Sequence, residues 1–308
     1  MLDLSVIICA HNPRTQHLRR VLDALRDQTL PQEHWELLLI DNLSSVPLVE
    51  IWDLTWHPHS KHLRETELGI SAARRRGIKE GQAKLIVFID DDNVLEKNYL
   101  SEALRLGAEW PCLGAWGSGK ILPEFEVLPS EPAKQFLSFL ALRETQVARW
   151  GNTMAMETTP WGAGLCLRRQ VAERYIERYE QDKIQITGRK GTSLASGEDN
   201  EISHVACELG LGTGVFPELK LIHLIPAVRV SHDYLIKMVE GASTSHYLLK
   251  YKWSGELPPS PFRPRRLLVT LKRLLLSRDN LERRAHLADL RAVINARRIL
   301  LPDTDEKL

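Results

Sequence analysis

The sequence has few cysteines, and none of them is spaced to hold a metal. Cys9, Cys112, Cys166 and Cys207 each lie in apolar sequence, and no pair has the Cys-x-x-Cys spacing of a zinc or redox site. We therefore expect reduced, buried thiols in a cytoplasmic protein without a zinc centre. Long apolar runs are also lacking. No segment approaches the roughly 18 apolar residues of a membrane span, and the N-terminal run is too short for a secretion signal.

Two glycine-rich phosphate-binding motifs are missing as well. No GxGxxG follows the first predicted strand, and no GxxxxGK[ST] occurs in the chain. These absences argue against a dinucleotide-binding Rossmann site and against a P-loop. Recognition of a phosphorylated ligand would then depend on a metal ion and on basic side chains.

Charge is nearly balanced overall but is unevenly distributed along the chain. The 308 residues carry a formal net charge of +1, and the length suits one large domain or two small ones. Residues 262–300 contain eleven Lys or Arg against three Asp or Glu. We predict a main domain over 1–254, with halves at 1–110 and 111–254, followed by a Pro-rich linker and a basic helical extension over 255–308.

Apolar runs alternate with helical spacing in the first 110 residues. The predicted strands are 4–10, 35–40, 61–66 and 85–89, and the helices are 14–28, 71–79 and 97–109, with a weaker helix at 48–54. This alternation predicts a parallel sheet with right-handed crossovers. Later predicted strands are 113–122, 163–167, 215–217 and 219–224. Later predicted helices are 132–149, 169–180, 198–209 and 230–252, with one or two basic helices beyond and a polar loop at 182–196.

Three consecutive carboxylates, Asp90-Asp91-Asp92, follow the apolar run 85–89. Ligands of parallel sheets bind beyond the carboxyl ends of the strands, and this edge would also hold Asp41 and the segment 10–12. A divalent cation with a phosphorylated ligand would offset the repulsion among the carboxylates. The plain alternative is a helix N-cap at Asp92-Asn93.

Several motifs, taken in order, resemble the family 2 glycosyltransferases of the GT-A fold over roughly residues 4–225. The matching segments are Ser5–Asn12, Leu39–Asn42, Glu67–Arg74, Phe88–Asp92, Gly162–Gly164 with Arg168-Arg169, and Gly197–Glu201. The resemblance implies an α/β protein with a Rossmann-like, mixed but mostly parallel sheet flanked by helices. It also implies inverting transfer of a sugar from a nucleotide diphosphate donor, expected to be UDP-linked, to a hydroxyl acceptor.

The resemblance assigns roles to individual residues. Asp92 of the DxD motif would bind Mn²⁺ or Mg²⁺ on the donor diphosphate, and Asp199 would be the general base. Glu198 would orient the acceptor or hold its loop. His223 is either a further metal ligand or a packed core residue. For Asp199 the plain alternative is a capping box at the start of a helix.

The remaining candidates would bind the nucleotide sugar. They are Ala10, His11, Asn12, Asp41, Gly69, Arg74, Asp90, Asp91, Trp161 and Gly162. Asp41 would accept a hydrogen bond from the base, and otherwise forms a turn. Arg74 would reach a phosphate or the ribose, and otherwise belongs with Arg75 and Arg76 to a solvated helix face. Trp161 is either a platform for the sugar or a core residue.

Two other functions stay open. A sugar nucleotidyltransferase also uses a carboxylate-bound metal at a sheet edge, but it usually has a basic, glycine-rich loop that residues 10–15 do not provide. A noncatalytic adaptor for nucleotide sugars or membranes is the second alternative. The acceptor could be a glycan, a lipid-linked sugar or a small molecule. The basic C-terminal helices either contact the inner face of a membrane peripherally or pack on the protein, and nucleic-acid binding is not expected.

Overall fold

A computed structural model of the chain describes residues 2–186, 188, 194 and 197–302. The chain forms two compact units. The first comprises Met1–Glu124, Ala141–Asp182 and Glu198–Ile225, and the second comprises Phe125–Leu140, Lys183–Gly197 and Pro226–Leu308. The predicted domain boundary at residue 254 stays a prediction.

The described residues form a single mixed sheet of ten strands. These are β1 (Leu4–Ala10), β2 (Trp35–Asn42), β3 (Ser60–Glu65), β4 (Leu85–Asp90), β5 (Asn93–Leu95), β6 (Leu113–Phe125), β7 (Arg143–Glu144), β8 (Arg149–Gly151), β9 (Leu165–Arg168) and β10 (Gly212–Ile225). The main order is β3-β2-β1-β4-β9-β6-β10-β5, with β7 beside β6 and β8 beside β10. The mixed α/β fold confirms the predicted class.

The described helices follow in chain order. They are α1 (Thr15–Arg26), α2 (Ile70–Glu80), α3 (Tyr99–Glu109), α4 (Glu131–Lys134), α5 (Arg169–Gln181), α6 (Glu198–Glu208), α7 (His232–Ser254), α8 (Pro264–Leu276) and α9 (Asn280–Leu300), with short 3-10 turns at Gln32–His34, Leu48–Glu50, Leu137–Leu140 and Ala227–Val230. Helix α1 buries Leu18, Val21, Leu22 and Leu25, the positions that the helical spacing predicts.

Strands β3, β2, β1 and β4 are parallel, and they bring the candidate residues to one edge. Every residue of β1 and β2 is buried, as expected for strands covered on both faces. Ala10 pairs with Asp41, and Cys9 pairs with Asp90. The carboxyl ends of β2, β1 and β4 therefore lie side by side, as the sequence predicts.

Three predicted elements are wrong. The segment 132–149 is not one helix. It contains α4 and the 3-10 turn Leu137–Leu140, and it then enters the short strands β7 and β8. In these strands Glu144 pairs with Lys120 of β6 and Trp150 pairs with Gly214 of β10. Hydrogen bonding to the edges of β6 and β10 overrides the local helical preference. The helix at 48–54 is a single 3-10 turn after Pro47. Residues 215–224 form one strand, β10, although Pro217 interrupts its hydrogen-bond donors.

The helix-cap explanation of Asp92-Asn93 is also wrong. Residues Asn93–Leu95 form β5, which runs antiparallel to β10 with Asn93 opposite His223. Helix α3 begins only at Tyr99. The carboxylate cluster therefore lies in a tight turn between two strands. The polar loop predicted at 182–196 lies largely outside the described residues.

The second unit is helical, and its two basic helices differ in burial. Helix α9 packs along α7, and four of its six buried residues are alanines, which permit close approach of the two backbones. Helix α8 buries none of its residues. Of the helices in the described part of the chain, none combines the length and the apolarity that crossing a bilayer requires.

Candidate active site

A buried arginine links the end of strand β4 to the start of helix α6. Arg74 of α2 donates a hydrogen bond from Nη1 to Glu198 Oε1 at 2.6 Å and one from Nη2 to Asp90 Oδ1 at 3.3 Å. Its guanidinium also lies over the ring of Phe88, 5.3 Å from the ring centroid. The residue before the helix that carries Arg74 is Gly69, whose φ of 134° favours glycine.

The charges in this cluster alter one another's ionisation. Burial alone would lower the pKa of Arg74, but the carboxylates of Glu198 and Asp90 raise it above its usual value. Burial raises the pKa of Glu198, and the positive charge of Arg74 opposes that shift. Burial raises the pKa of the nearby Cys9 thiol to about 12, so this cysteine is an inert core residue, as predicted. The prediction of a buried thiol is wrong for Cys112, which is exposed.

Asp199 lies in the first turn of α6 and contacts the segment that precedes β9. Its Oδ2 accepts a hydrogen bond from the backbone N–H of Gly162 at 3.0 Å, and its Oδ1 accepts one from Asn200 N at 2.8 Å. The Asp199 carboxylate therefore bonds outside its own helix, in the same cluster as Glu198 and Arg74. Ser196, which would open a capping box, lies outside the described residues.

Gly162 leaves the space that the Arg74 guanidinium fills. A Cβ atom at position 162 would lie 2.4 Å from Arg74 Nη2 and 3.0 Å from Nη1. Arg74 cannot easily move away, because two carboxylates hold it. The glycine is thus required by close packing, and its N–H also positions Asp199.

We expect Gly162→Ala to destabilise the protein by about 1–3 kcal/mol, because the added methyl group overpacks a buried ion cluster. Urea unfolding would measure this loss. Gly151→Ala is the matched control, since its Cβ would meet no atom closer than 3.7 Å and should change stability by less than about 0.5 kcal/mol. Equal effects of the two substitutions would contradict the packing explanation.

Asp92 and His223 face each other where β5 pairs with β10. Asp92 Oδ2 lies 3.6 Å from His223 Nε2, and both side chains are buried. Asn93 Nδ2 donates to Asp92 Oδ1 at 2.9 Å, which orients the carboxylate. Asp91 is half-buried in the same turn. This antiparallel pairing explains how His223 comes beside the triplet, a proximity that the sequence offered only as one of two alternatives.

The Asp92–His223 pair fits a divalent cation. A separation of 3.6 Å is too long for a good hydrogen bond, and two ligands about 2.1 Å from a common ion lie roughly 3–4 Å apart. A carboxylate with an imidazole suits Mn²⁺ better than Mg²⁺, which prefers oxygen ligands throughout. Among the described residues, no group of three or more His, Cys, Asp or Glu side chains is arranged to hold a metal ion.

Asp41 makes the contacts of a turn-forming residue, which was the alternative to a role in binding the base. Its carboxylate accepts hydrogen bonds from Ser44 N at 2.8 Å and from Leu48 N at 3.2 Å. It also accepts one from Arg64 Nη1 at 2.7 Å. The register explains the last contact, since Arg64 of β3 lies opposite Asp41 of β2. Arg64 was not predicted as a site residue, although a basic residue at the end of the neighbouring strand was a usable signal.

His11 and Asn42 organise the loops around Asp41. The Nδ1–H of His11 donates to Asn42 O at 2.6 Å, and the ring Nε2 accepts from Asn12 Nδ2 at 3.1 Å. Asn42 in turn accepts from Gly69 N at 2.8 Å. The loop after β1 and the start of α2 are therefore tied to the end of β2.

Arg143 contacts the candidate residue Trp161, and the sequence did not reveal this contact. Its guanidinium stacks on Trp161, 3.9 Å from the ring centroid, and donates to Thr159 O at 3.0 Å and to Met156 O at 3.2 Å. Burial lowers the pKa of Arg143 to about 10, and the charge of Asp199 opposes this shift. Trp161 is only half-buried, so one part of its surface is accessible.

The other two arginines of α2 have surface contacts. Arg75 pairs with Glu67 at 3.0 Å and stacks on Tyr179, while Arg76 pairs with Glu80 one turn later at 2.9 Å. The solvated-face explanation is therefore confirmed for Arg76 and wrong for Arg74.

Residues 5–121 match the family model described as glycosyl transferase family 2. Over this segment the chain is similar to the family 2 glycosyltransferases. The matched segment holds Asp41, Arg74 and the carboxylate triplet, whereas Gly162, Asp199 and His223 lie beyond it. In the tertiary structure, Gly162 packs against Arg74 and His223 lies 3.6 Å from Asp92, so residues of the two sets are neighbours.

Curated relatives cover the same N-terminal region. EpsH of Bacillus subtilis (strain 168), named as a glycosyltransferase, is 25% identical over 108 residues, which is 34% of this chain and 30% of EpsH. TuaG of the same organism, named as a teichuronic acid biosynthesis glycosyltransferase, is 26% identical over 113 residues, which is 35% of this chain and 43% of TuaG. The matched part of the chain thus spans less than half the length of either relative.

The fold extends the similarity to the whole chain. The mannosyltransferase PcManGT of Pyrobaculum calidifontis, solved with GDP-Man and Mn²⁺, has a TM-score of 0.57 and 19% identity. That alignment covers 99% of this chain and 76% of the mannosyltransferase. At this identity it shows a shared GT-A fold.

Proposed function

We propose that this protein is an inverting glycosyltransferase that moves a sugar from a nucleotide diphosphate donor to a hydroxyl group. The observation that carries the proposal is the buried cluster around Arg74. It joins Asp90, on the proposed donor side, to Glu198 and, through Gly162, to Asp199 on the proposed acceptor side. A sugar bound beside this cluster, with Asp90 on the donor side and Asp199 on the acceptor side, would have its leaving group on one side and a base on the other.

Asp199 is the proposed general base. Its carboxylate is held by two backbone N–H groups, those of Gly162 and Asn200, which fix its orientation and leave lone pairs for an acceptor hydroxyl. As the acceptor oxygen bonds to the anomeric carbon, Asp199 takes the hydroxyl proton and the nucleoside diphosphate leaves from the opposite face. Displacement in one step inverts the anomeric configuration. Glu198 holds Arg74 beside the reacting sugar.

Asp92 and His223 are the proposed holders of Mn²⁺. When bound, the ion supplies Lewis-acid stabilisation of the charge on the departing diphosphate. The complex of the mannosyltransferase relative with GDP-Man and Mn²⁺ supports a nucleotide diphosphate donor and this choice of ion. We propose a UDP-linked donor, with Asp41 accepting from the base and Arg64 fixing the Asp41 carboxylate.

The first experiment is a thermal-shift panel of UDP- and GDP-sugars with and without Mn²⁺. A donor that binds only the folded protein raises the melting temperature, and the stabilisation grows with the logarithm of its concentration relative to its Kd. Product analysis then separates the alternatives, since a glycosyltransferase releases nucleoside diphosphate and a nucleotidyltransferase releases pyrophosphate. Release of pyrophosphate, or no binding of any nucleotide sugar, would refute the proposal.

We expect Asp92→Asn to weaken Mn²⁺-dependent donor binding at least tenfold, because the amide keeps the bond from Asn93 but loses the negative charge that a cation needs. Calorimetric titration of the donor with and without Mn²⁺ measures this change. Asp23→Asn, on the exposed face of α1, is the control and should bind as the unmodified protein does. Unchanged Mn²⁺ dependence in Asp92→Asn would remove this carboxylate from the metal site.

The proposed mechanism is compatible with several acceptors. A glycan, a lipid-linked sugar or a small molecule with a free hydroxyl would satisfy the mechanism, because Asp199 needs only one proton to remove. The location that we propose is the cytoplasm, or the inner face of a membrane for a lipid-linked acceptor.

A further inference from the structure

Helix α8 exposes an apolar stripe that nothing in the described chain covers. Leu268, Leu271 and Leu275 have 66%, 54% and 73% of their surfaces exposed. Their spacing of three and four residues places them on one side of the helix. Large apolar side chains aligned in this way are costly to leave in water and indicate an interaction surface.

The opposite side of α8 is anchored to the second unit. Arg266 Nη2 lies 3.6 Å from Asp289 Oδ2 of α9 and 3.4 Å from the Tyr247 hydroxyl of α7. At 100° per residue, Arg266 lies about 160° around the helix from Leu268. The anchor therefore keeps the apolar stripe directed outward.

Basic residues flank the stripe, and the segment that carries it contains no acidic residue. Residues 257–278 contain six Lys or Arg and no Asp or Glu. Arg265 and Lys272 lie about 60° and 40° around the helix from Leu268, and both are exposed. Two copies of this helix would meet with like charges, which disfavours self-association. A surface with negative charge outside and apolar chains beneath is complementary to α8.

We propose that α8 docks this protein on an anionic lipid bilayer. Leu268, Leu271 and Leu275 enter the boundary between headgroups and acyl chains, and Arg265 and Lys272 contact anionic headgroups. The surface lies wholly within the second unit, so the proposal is independent of the proposed function and its test needs no enzyme assay.

Vesicle co-sedimentation of the full chain tests the proposal. We expect binding to vesicles of phosphatidylcholine with phosphatidylglycerol, weak binding to phosphatidylcholine alone, and loss of binding as salt rises. The variant Leu268→Gln/Leu271→Gln/Leu275→Gln should bind anionic vesicles at least tenfold less. The variant Arg265→Gln/Lys272→Gln should lose the preference for anionic lipid.

The matched control places the same number of glutamines at exposed apolar positions elsewhere in the second unit. Leu128→Gln/Val228→Gln/Ile299→Gln changes side chains that are 81%, 58% and 56% exposed, and it should bind vesicles normally. Circular dichroism would verify that all variants fold. Equal vesicle binding by the α8 variant, the control variant and the unmodified protein would overturn the proposal.

A fluorescent variant gives a second readout. Leu271→Trp should show a blue shift of its added emission on anionic vesicles and none on neutral ones, because the indole would leave water for the lipid boundary. No shift would overturn the proposal. The proposal would also be overturned if the unmodified protein bound no vesicles and sedimentation velocity showed a dimer that the α8 leucine substitutions abolish. The surface of α8 would then be covered by a second copy of the chain.

Discussion

Asp199→Asn should bind nucleotide sugar as tightly as the unmodified protein and transfer the sugar about 10²–10⁴-fold more slowly. Asparagine retains one oxygen, which can accept the hydrogen bond from Gly162 N and so keep the first turn of α6 tied to that segment, while the bond from Asn200 N within the helix is lost. It cannot accept a proton at neutral pH, and loss of a positioned general base costs about this much in rate. Steady-state turnover, measured with donor affinity by titration, would separate catalysis from binding.

Glu208→Gln is the matched control for this prediction. Glu208 ends the same helix and forms surface ion pairs with Arg174 and Arg178, at 3.1 Å in each case. Its neutralisation should leave turnover within about twofold, because exposed ion pairs contribute little. Turnover of Asp199→Asn within a few-fold of normal would assign the base to another residue.

Arg74→Met should destabilise the protein by about 3–5 kcal/mol. The substitution removes the cation from between Glu198 and Asp90 and leaves at least one buried carboxylate without its ionic partner. The methionine fills similar volume, so loss of packing contributes little. Chemical denaturation at neutral pH would measure the effect as a lower midpoint with a similar slope.

Two further variants make this second prediction specific. Arg76→Met, two positions further along α2, removes only an exposed pair with Glu80 and should cost less than about 1 kcal/mol. Arg74→Met/Glu198→Gln should recover part of the lost stability, because the uncompensated charge is then gone. Additive losses in the double variant would contradict a coupled buried pair.

The edge of the parallel sheet was predictable because each strand carries its own signal. The apolar runs of β1, β2 and β4 are long enough to be buried on both faces, and polar residues follow each of them. Parallel connection then places Asp41 and Asp90 beside the end of β1. No knowledge of distant contacts was needed for that part of the site.

The contacts of Arg143 and His223 were not predictable in the same way. Arg143 reaches Trp161 only because its segment joins the edge of β6 as a strand, whereas its local spacing indicates a helix. His223 meets Asp92 only because β10 pairs antiparallel with β5. Both contacts depend on hydrogen-bonded register between segments far apart in the chain, and local propensity carries no information about register.

Local pattern was thus sufficient for the α/β class, for the carboxylates at the strand ends and for the exposed basic character of the C-terminal helices. Burial and register, which depend on the whole chain, selected Arg74 from three consecutive arginines as the residue that enters the interior. They also directed α9 inward through its alanines and left α8 with its leucines exposed. The physical reason is that spacing defines the faces of a helix, whereas the contacts of its neighbours determine which face is buried.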